Sequence, residues 1–252
     1  MPSESEPLWG RYEQLRPDQL EKITAAMPVA WWPLGLLEHH GWALPVGFDG
    51  VKADRFCERL ARRHGGVVLP VMWWGADGGH GEFKWTFYQN REAGISVVDR
   101  TLRGLINFGF RAIVVYAGHY PWQGMLEKVI PPIAEENPDV LILWGIDTTL
   151  GGDEVKLPGD HAARWETAYG LALLPDLVDM DALRPHDAEG VWPESGIPPE
   201  ERRHPGVSFN PADPTFAQLG EDPHRASADE AEAYLGRLED YLMKRIRAHL
   251  AK

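Results

Sequence analysis

Four runs of this chain are apolar at nearly every position rather than at every second one: Pro28–Leu37, Val67–Met72, Arg111–Ala117 and Val140–Trp144. A strand with one wet face alternates apolar and polar residues, whereas a strand covered on both faces has no such need. Between the runs the period changes to that of a helix. Gly50–Arg63 brings Ala53, Phe56, Cys57, Leu60 and Ala61 to one face, and Ser96–Phe108 does the same with Val98, Leu102, Leu105 and Ile106. Leu15–Ala26, Trp122–Glu136 and His161–Leu174 read as further helices, Trp122–Glu136 being disturbed near its end by Pro131 and Pro132. Apolar strands alternating with helices predict an α/β fold with a mostly parallel sheet covered on both sides.

The 252 residues suit one such domain spanning 1–252. Residues 73–95 read as a long loop rich in glycine and aromatics, and about 184–226 as an irregular excursion rich in proline, charge and histidine. A terminal helix over 227–251 starts with Ser227 and Glu230 placed for a capping box, and carries Tyr234, Leu235, Leu238, Tyr241, Leu242 and Ile246 on its apolar face.

A net charge of -13 repels phosphate backbones and anionic lipid, so the expected partner is a small molecule, with no nucleic acid and no membrane. The single cysteine, Cys57, allows no internal disulfide and no cysteine-rich zinc site, and reads as a small buried residue. Residues 1–10 are polar and acidic, unlike a signal peptide, which makes the cytoplasm the expected compartment.

Ligand sites in open parallel sheets collect at the carboxyl ends of strands. Two strand ends here run directly into ionisable groups. After Leu37 come Glu38, His39 and His40, and Asp49 follows beyond Gly41, Pro45 and Gly47; after Ala117 come Gly118 and His119. On an extended segment Glu38 and His40 point the same way and His39 the other. A carboxylate and an imidazole converging at a strand end suit zinc or manganese, Asp49 has two oxygens with which to bridge two ions, and His119 can add a ligand. His39 reads as structural. His186, His204, His224 and His249 read as surface residues. No Gly-x-Gly-x-x-Gly follows the first strand, which argues against a dinucleotide site.

The stretch from Pro33 to Asp49, Pro-Leu-Gly-Leu-Leu-Glu-His-His-Gly-Trp-Ala-Leu-Pro-Val-Gly-Phe-Asp, resembles the creatininase family signature P-x-G-x-x-E-x-H-G-x-x-L-P-x-x-x-D. Gly118-His119 resembles the Gly-His of the family's second motif, and His161 to Thr167 resembles H-A-G-x-x-E-T. His80, Phe83 and Thr86 resemble a looser H-x-x-F-P-G-T. The resemblance spans about residues 28–181 and implies a three-layer αβα sandwich. It also implies two divalent ions (Zn, Mn or Fe), one on residues matching Glu38, Asp49 and His119, the other on residues matching His40, Asp49 and a further carboxylate. It implies hydrolysis of a C–N bond in a small cyclic amide or formamide by a metal-activated water, with His161 moving a proton to the leaving group, and a homo-oligomer, often a hexamer.

The chain departs from the pattern where creatininase places a metal-binding glutamate two residues after the second-motif histidine: that position is Pro121. In many relatives the H-A-G-x-x-E-T glutamate supplies the fifth ligand, so Glu166 is expected here, as ligand and in catalysis. Phe83-Lys84-Trp85-Thr86 and Ala117–Trp122 depart from the family on the substrate side, which argues against creatinine itself. Tyr120, Trp122, Trp74, His80 and Asp160 are expected toward the substrate, with Trp42, Trp73 and Trp85 as further candidates to wall the pocket. Asp160 also reads as a cap of the helix that follows it. Two other readings stand beside this one: a hydrolase opening a carbohydrate- or inositol-derived cyclic ketone on the same site, and a non-catalytic small-ligand-binding α/β protein whose metal site Pro121 has degraded.

Overall fold

Five short parallel strands form the sheet in the computed structural model, which describes residues 7–184 and 190–252. The expected surface residue His186 and part of the excursion lie outside the described residues. In chain order the elements are β1 (Trp9–Arg11), α1 (Pro17–Ala26), β2 (Val29–Leu34), α2 (Phe48–His64), β3 (Gly66–Val68), α3 (Arg91–Asn107), β4 (Ala112–Ala117), α4 (Trp122–Glu136), β5 (Leu141–Gly145), α5 (Arg164–Leu173) and α6 (Ala228–Leu250). The strand order is β1-β3-β2-β4-β5. β2 and β4 pair along their full length, from Val29 opposite Ala112 to Leu34 opposite Ala117.

The continuous apolar runs are explained by a core on each face. Val29, Trp31, Val114 and Tyr116 pack on one side with α2, α5 and α6. Ala30, Trp32, Leu34, Ile113 and Val115 pack on the other with α3 and α4. This is the three-layer αβα arrangement. Buried Trp31 keeps its indole N–H satisfied by donating to the Gly65 carbonyl at 2.9 Å.

Several boundaries differ from the sequence reading. β3 stops at Val68 instead of continuing to Met72, since Pro70 has no N–H for the ladder; contact with β2 resumes only as a bridge between Leu34 and Met72. α3 starts five residues earlier than periodicity suggests, where the Asn90 side chain accepts from the Ala93 N–H at 2.9 Å. α4 continues unbroken through Pro131 and Pro132. Both prolines are exposed, as are Glu127 and Lys128, whose carbonyls lose the helical N–H donors that residues 131 and 132 would otherwise supply. β1 had no signal of its own; this edge strand is tied down by Arg11, which donates to Asp54 at 2.8 Å and pairs with Glu58. The irregular segment after α5 returns as far as the sheet's carboxyl edge, where Leu219 and His161 exchange backbone hydrogen bonds of 2.9 Å.

The topology fixes where a site can form. The chain leaves β2 into α2 on one face and leaves its neighbour β4 into α4 on the other. The two connections therefore diverge and open a crevice outside the carboxyl ends of β2 and β4.

Candidate metal centre

Close backbone contact draws the two connections together. A Cβ on Gly35 would lie 2.3 Å from the Gly50 Cα, and one on Gly118 would lie 2.1 Å from the Asp49 carbonyl oxygen. Only glycine permits either approach. α2 begins at Phe48, two residues before its apolar period, so Asp49 sits on a helical first turn and not on a loop. From there its carboxylate faces the crevice, where a helix N-terminus favours negative charge.

Four histidines reach this point, each with one ring nitrogen held by a backbone carbonyl. His40 Nδ1 is 2.9 Å from the Glu38 oxygen, His119 Nε2 2.9 Å from that of Asp77, His80 Nε2 3.0 Å from that of Ala217, and His161 Nε2 3.0 Å from that of His39. A carbonyl only accepts, so each ring donates its N–H there and turns its other nitrogen inward. His40 Nε2 then lies 3.1 Å from Asp49 Oδ1 and 3.5 Å from Glu166 Oε2. His119 Nδ1 lies 3.1 Å from Glu38 Oε2 and 3.3 Å from Asp49 Oδ2. His161 Nδ1 and His80 Nδ1 stand farther off, 4.0 Å and 3.8 Å from the Glu38 carboxylate, and their rings stack with centroids 3.7 Å apart.

Glu38, His40, Asp49, His119 and Glu166 are all buried. Burial opposes charge on every one of them. In His40 the Asp49 carboxylate overcomes that opposition and holds the pKa up at about 9, and in His119 Glu38 and Asp49 together hold it at about 10. Burial likewise works against ionised Glu38, but His119 and His161 bring it down to about 2. Glu166 goes the other way: burial, only partly offset by Lys52 and His40, raises it to about 7. Burial and then the neighbouring His40 lower His161 to about 4.

These residues fit a divalent cation. Once His119 Nδ1, 3.3 Å away, is deprotonated, the buried Asp49 Oδ2 has no hydrogen-bond donor, and an acceptor-only atom in that position calls for a cation. The trios Glu38–His40–Asp49, His40–His161–Glu166 and Glu38–His80–His161 each have ligand atoms within 4.8 Å of one another. Nitrogen and oxygen donors of this kind suit zinc or manganese.

A cavity of about 220 Å³ opens onto the cluster and is lined in part by Glu38, Asp49, His119, His161, Glu166 and Tyr120. The Tyr120 hydroxyl is buried without a hydrogen-bond partner. His80 also lines the cavity. Trp74, Trp122 and Asp160, expected on the substrate side, do not. Trp74 is 51% exposed, away from the cavity. Trp122 is 0% exposed in the core beneath α4, where its indole donates to the Gly35 carbonyl at 3.0 Å. Asp160 is used up as a cap: its carboxylate accepts from the Trp165 and Glu166 N–H groups at 2.7 and 3.0 Å. Trp42 stacks on Phe216, Trp73 packs against Gly50, and Trp85 is exposed, so none of these three walls the cavity. His39 packs its ring on Phe83 and Phe216.

Sequence reasoning missed several neighbours of the site. Tyr88, from the long loop, donates to Glu38 Oε1 at 2.9 Å. His204, expected at the surface, is exposed but also lines the cavity, together with Leu219. Both come from the irregular segment, where no periodic pattern foretells placement. Lys52 and Asp147 form a buried ion pair of 2.6 Å beside Glu166. A lysine among the apolar positions of α2 was the one available signal.

Comparison with known proteins bears on the fold and the family. The curated creatinine amidohydrolase of Pseudomonas putida is 26% identical over 218 residues, covering 78% of this chain and 81% of that protein. The 3-dehydro-scyllo-inosose hydrolase of Thermotoga maritima is 26% identical over 180 residues, 66% of this chain and 56% of that protein. Among solved structures, a crystal structure of creatinine amidohydrolase superposes with a TM-score of 0.70 at 24% identity, covering 96% of this chain and 97% of the other. A creatininase variant complexed with creatine gives 0.70 at 23%, covering 94% and 97%. Other creatininase structures of the same fold are a zinc–zinc form and a manganese form. The sequence model for creatininase, described as creatinine amidohydrolase, matches residues 13–246 and so takes in both strand-end motifs and Glu166. With nearly the whole chain matched and the motif residues gathered in one crevice, the chain belongs to the creatininase family of amidohydrolases.

Proposed function

We propose that this chain is a hydrolase that holds two divalent cations, one between Glu38, Asp49 and His119, the other between His40, Asp49 and Glu166, and cleaves a C–N bond in a small cyclic amide, formamide or related compound. The observation that carries this is the Asp49 carboxylate. Its two oxygens diverge, Oδ1 toward His40 and Oδ2 toward His119, so one side chain serves both halves. Glu166 stands 3.5 Å from His40 and makes up for the side chain that Pro121 lacks, which weighs against a degraded, non-catalytic site. Bound divalent ions supply Lewis acidity and lower the pKa of water to about 7.

The chain's own residues do the rest. The Tyr120 hydroxyl offers a hydrogen bond to a polar group of the substrate in the buried cavity. His161 donates its Nε2–H to the His39 carbonyl, so Nδ1 is the position at which it takes up a proton and passes it to the leaving group. The cavity, at about 220 Å³, lies below the roughly 300–1,000 Å³ of drug-sized sites and suits a small substrate. Zinc and manganese are the favoured cations, in line with the two metal forms of the structural neighbours.

A second reading, opening of a carbohydrate- or inositol-derived cyclic ketone, draws on the Thermotoga maritima relative. The test is a screen of lactams, formamides and cyclic ketones with Mn²⁺- or Zn²⁺-loaded protein, products being followed by NMR. A new amine and carboxylate on an opened lactam, or amine and formate released from a formamide, support C–N cleavage; ring opening of a ketone supports the second reading. A folded, metal-loaded protein that turns over none of them overturns both. The cytoplasmic homo-oligomer belongs to the same proposal, and sedimentation of the purified protein tests the hexamer.

A further inference from the structure

Lys52 lies one helical turn after Asp49 on α2 and is 0% exposed. Burying an ammonium is costly unless its charge is matched and its three donors are used. Asp147, just beyond β5, supplies the match at 2.6 Å, and its other oxygen accepts from the buried Tyr116 hydroxyl of β4. Were Lys52 only part of a structural pair, that contact would suffice. Its ammonium also lies 3.5 Å from Glu166 Oε1 and 3.5 Å from the carbonyl of Gly118, the residue before His119. Its remaining surroundings are the rings of Phe48, Tyr120 and Tyr169.

The Glu166 carboxylate is thereby divided between two tasks. Oε1 faces Lys52, while Oε2 faces His40 Nε2 at 3.5 Å and accepts from the Ala162 N–H at 2.7 Å. A carboxylate tethered at one oxygen and at one side of the other has lost most of its rotational freedom before any ligand arrives. Groups that orient a metal ligand in this way typically contribute about 10–100-fold to metal affinity.

We propose that Lys52, anchored by Asp147, is a positioning residue for the His40–Asp49–Glu166 half of the site, holding Glu166 so that one oxygen stays directed at a cation there. The assignment rests on the two-cation reading above. It makes a prediction that a purely structural ion pair does not: the two halves of the site respond differently to its loss. Glu38 and His119 have no contact with Lys52 or Asp147 among the described interactions, and their half keeps its affinity.

The test uses the double variant Lys52→Met/Asp147→Asn. Both charges leave together, so neither is stranded, and replacing a buried pair in this way is often neutral for folding. Metal-stripped wild type and variant are titrated with Mn²⁺ by calorimetry. The expected result is two binding events in the wild type, and in the variant one event unchanged and the other weakened by about 10–100-fold. Two events of wild-type affinity in the variant overturn the role of Lys52 alone. A wild type that takes up no Mn²⁺ overturns it together with the two-cation reading. If the double variant does not fold, Tyr116→Phe carries the test, since it removes only the hydroxyl that steadies Asp147: a selectively weaker second event supports the role, and unchanged binding overturns it.

Discussion

Asp49 Oδ2 and His119 Nδ1 lie 3.3 Å apart, one from the first turn of α2 and the other just past β4, where the same nitrogen also stands 3.1 Å from Glu38 Oε2. Two groups so placed, in a crevice only glycines allow, depend on one another. Asp49→Ala removes the shared carboxylate from both halves. Its metal content, measured by emission spectrometry after dialysis, is expected to fall close to zero. Activity should fall by about 100-fold or more, beyond what outer-shell changes produce. Full retention of bound cation would sink the two-metal reading.

Protons and cations compete for the same nitrogens. The folded, metal-free protein raises His40 to about 9 and His119 to about 10, against the ordinary 6.5 of an unfolded chain. A raised pKa contributes stability that is fully present below 6.5 and is lost as pH climbs through 9 and 10. Chelated protein is therefore expected to show a lower Tm near pH 10 than near pH 6. Added cation restores more stability at the higher pH, since it binds the deprotonated rings and releases protons on binding at neutral pH. Calorimetry in buffers of different ionisation enthalpy reads that release directly. Its absence, together with a Tm indifferent to chelation at every pH, would favour a non-catalytic binding protein.

The contrast between two glycines checks the close approach. A Cβ at Gly118 meets the Asp49 backbone oxygen at 2.1 Å, so Gly118→Ala must move one connection or the other. It is expected to cost about 1–3 kcal/mol in urea unfolding and to lower metal affinity. Gly104 lies inside α3 with nothing within 4 Å of its would-be Cβ. Gly104→Ala is expected to stabilise by about 0.4–1 kcal/mol and leave metal binding alone.

Asp160 is a cap, and its variants separate a cap from a substrate contact. Asp160→Ala leaves the Trp165 and Glu166 N–H groups without their acceptor and is expected to cost about 1 kcal/mol. Asp160→Asn keeps an oxygen in place and should lose much less. If instead Asp160→Asn raised KM severely at unchanged Tm, the carboxylate would have a role in binding substrate.

Trp122 belongs to the core. Trp122→Ala is expected to cost about 3–5 kcal/mol of stability, read by thermal or urea unfolding. The milder Trp122→Phe loses the hydrogen bond to Gly35 and should lower Tm without a change in KM at temperatures where it is folded. A KM effect at unchanged Tm would return this residue to the substrate side.

The sequence by itself determined the layers and the strand-end positions. Runs such as Val29–Leu34 and Ala112–Ala117, apolar at every residue, admit only a sheet covered on both faces, and chemistry at their carboxyl ends follows from the parallel topology. Glu38, His40, Asp49 and His119 were legible because each sits a short, glycine-marked step beyond such a run. Trp122 and Trp74, expected toward the substrate, do not line the cavity, since an aromatic next to a motif carries no record of which way its helix or loop turns. Only the tertiary structure decided the partners: which carbonyl fixes each imidazole, that Asp160 faces a helix end and not the cavity, and that Lys52, Asp147 and Tyr116 meet beside Glu166. Those contacts join residues far apart in the chain through irregular connections, where direction is set by packing and hydrogen bonding across the fold and leaves no period in the sequence.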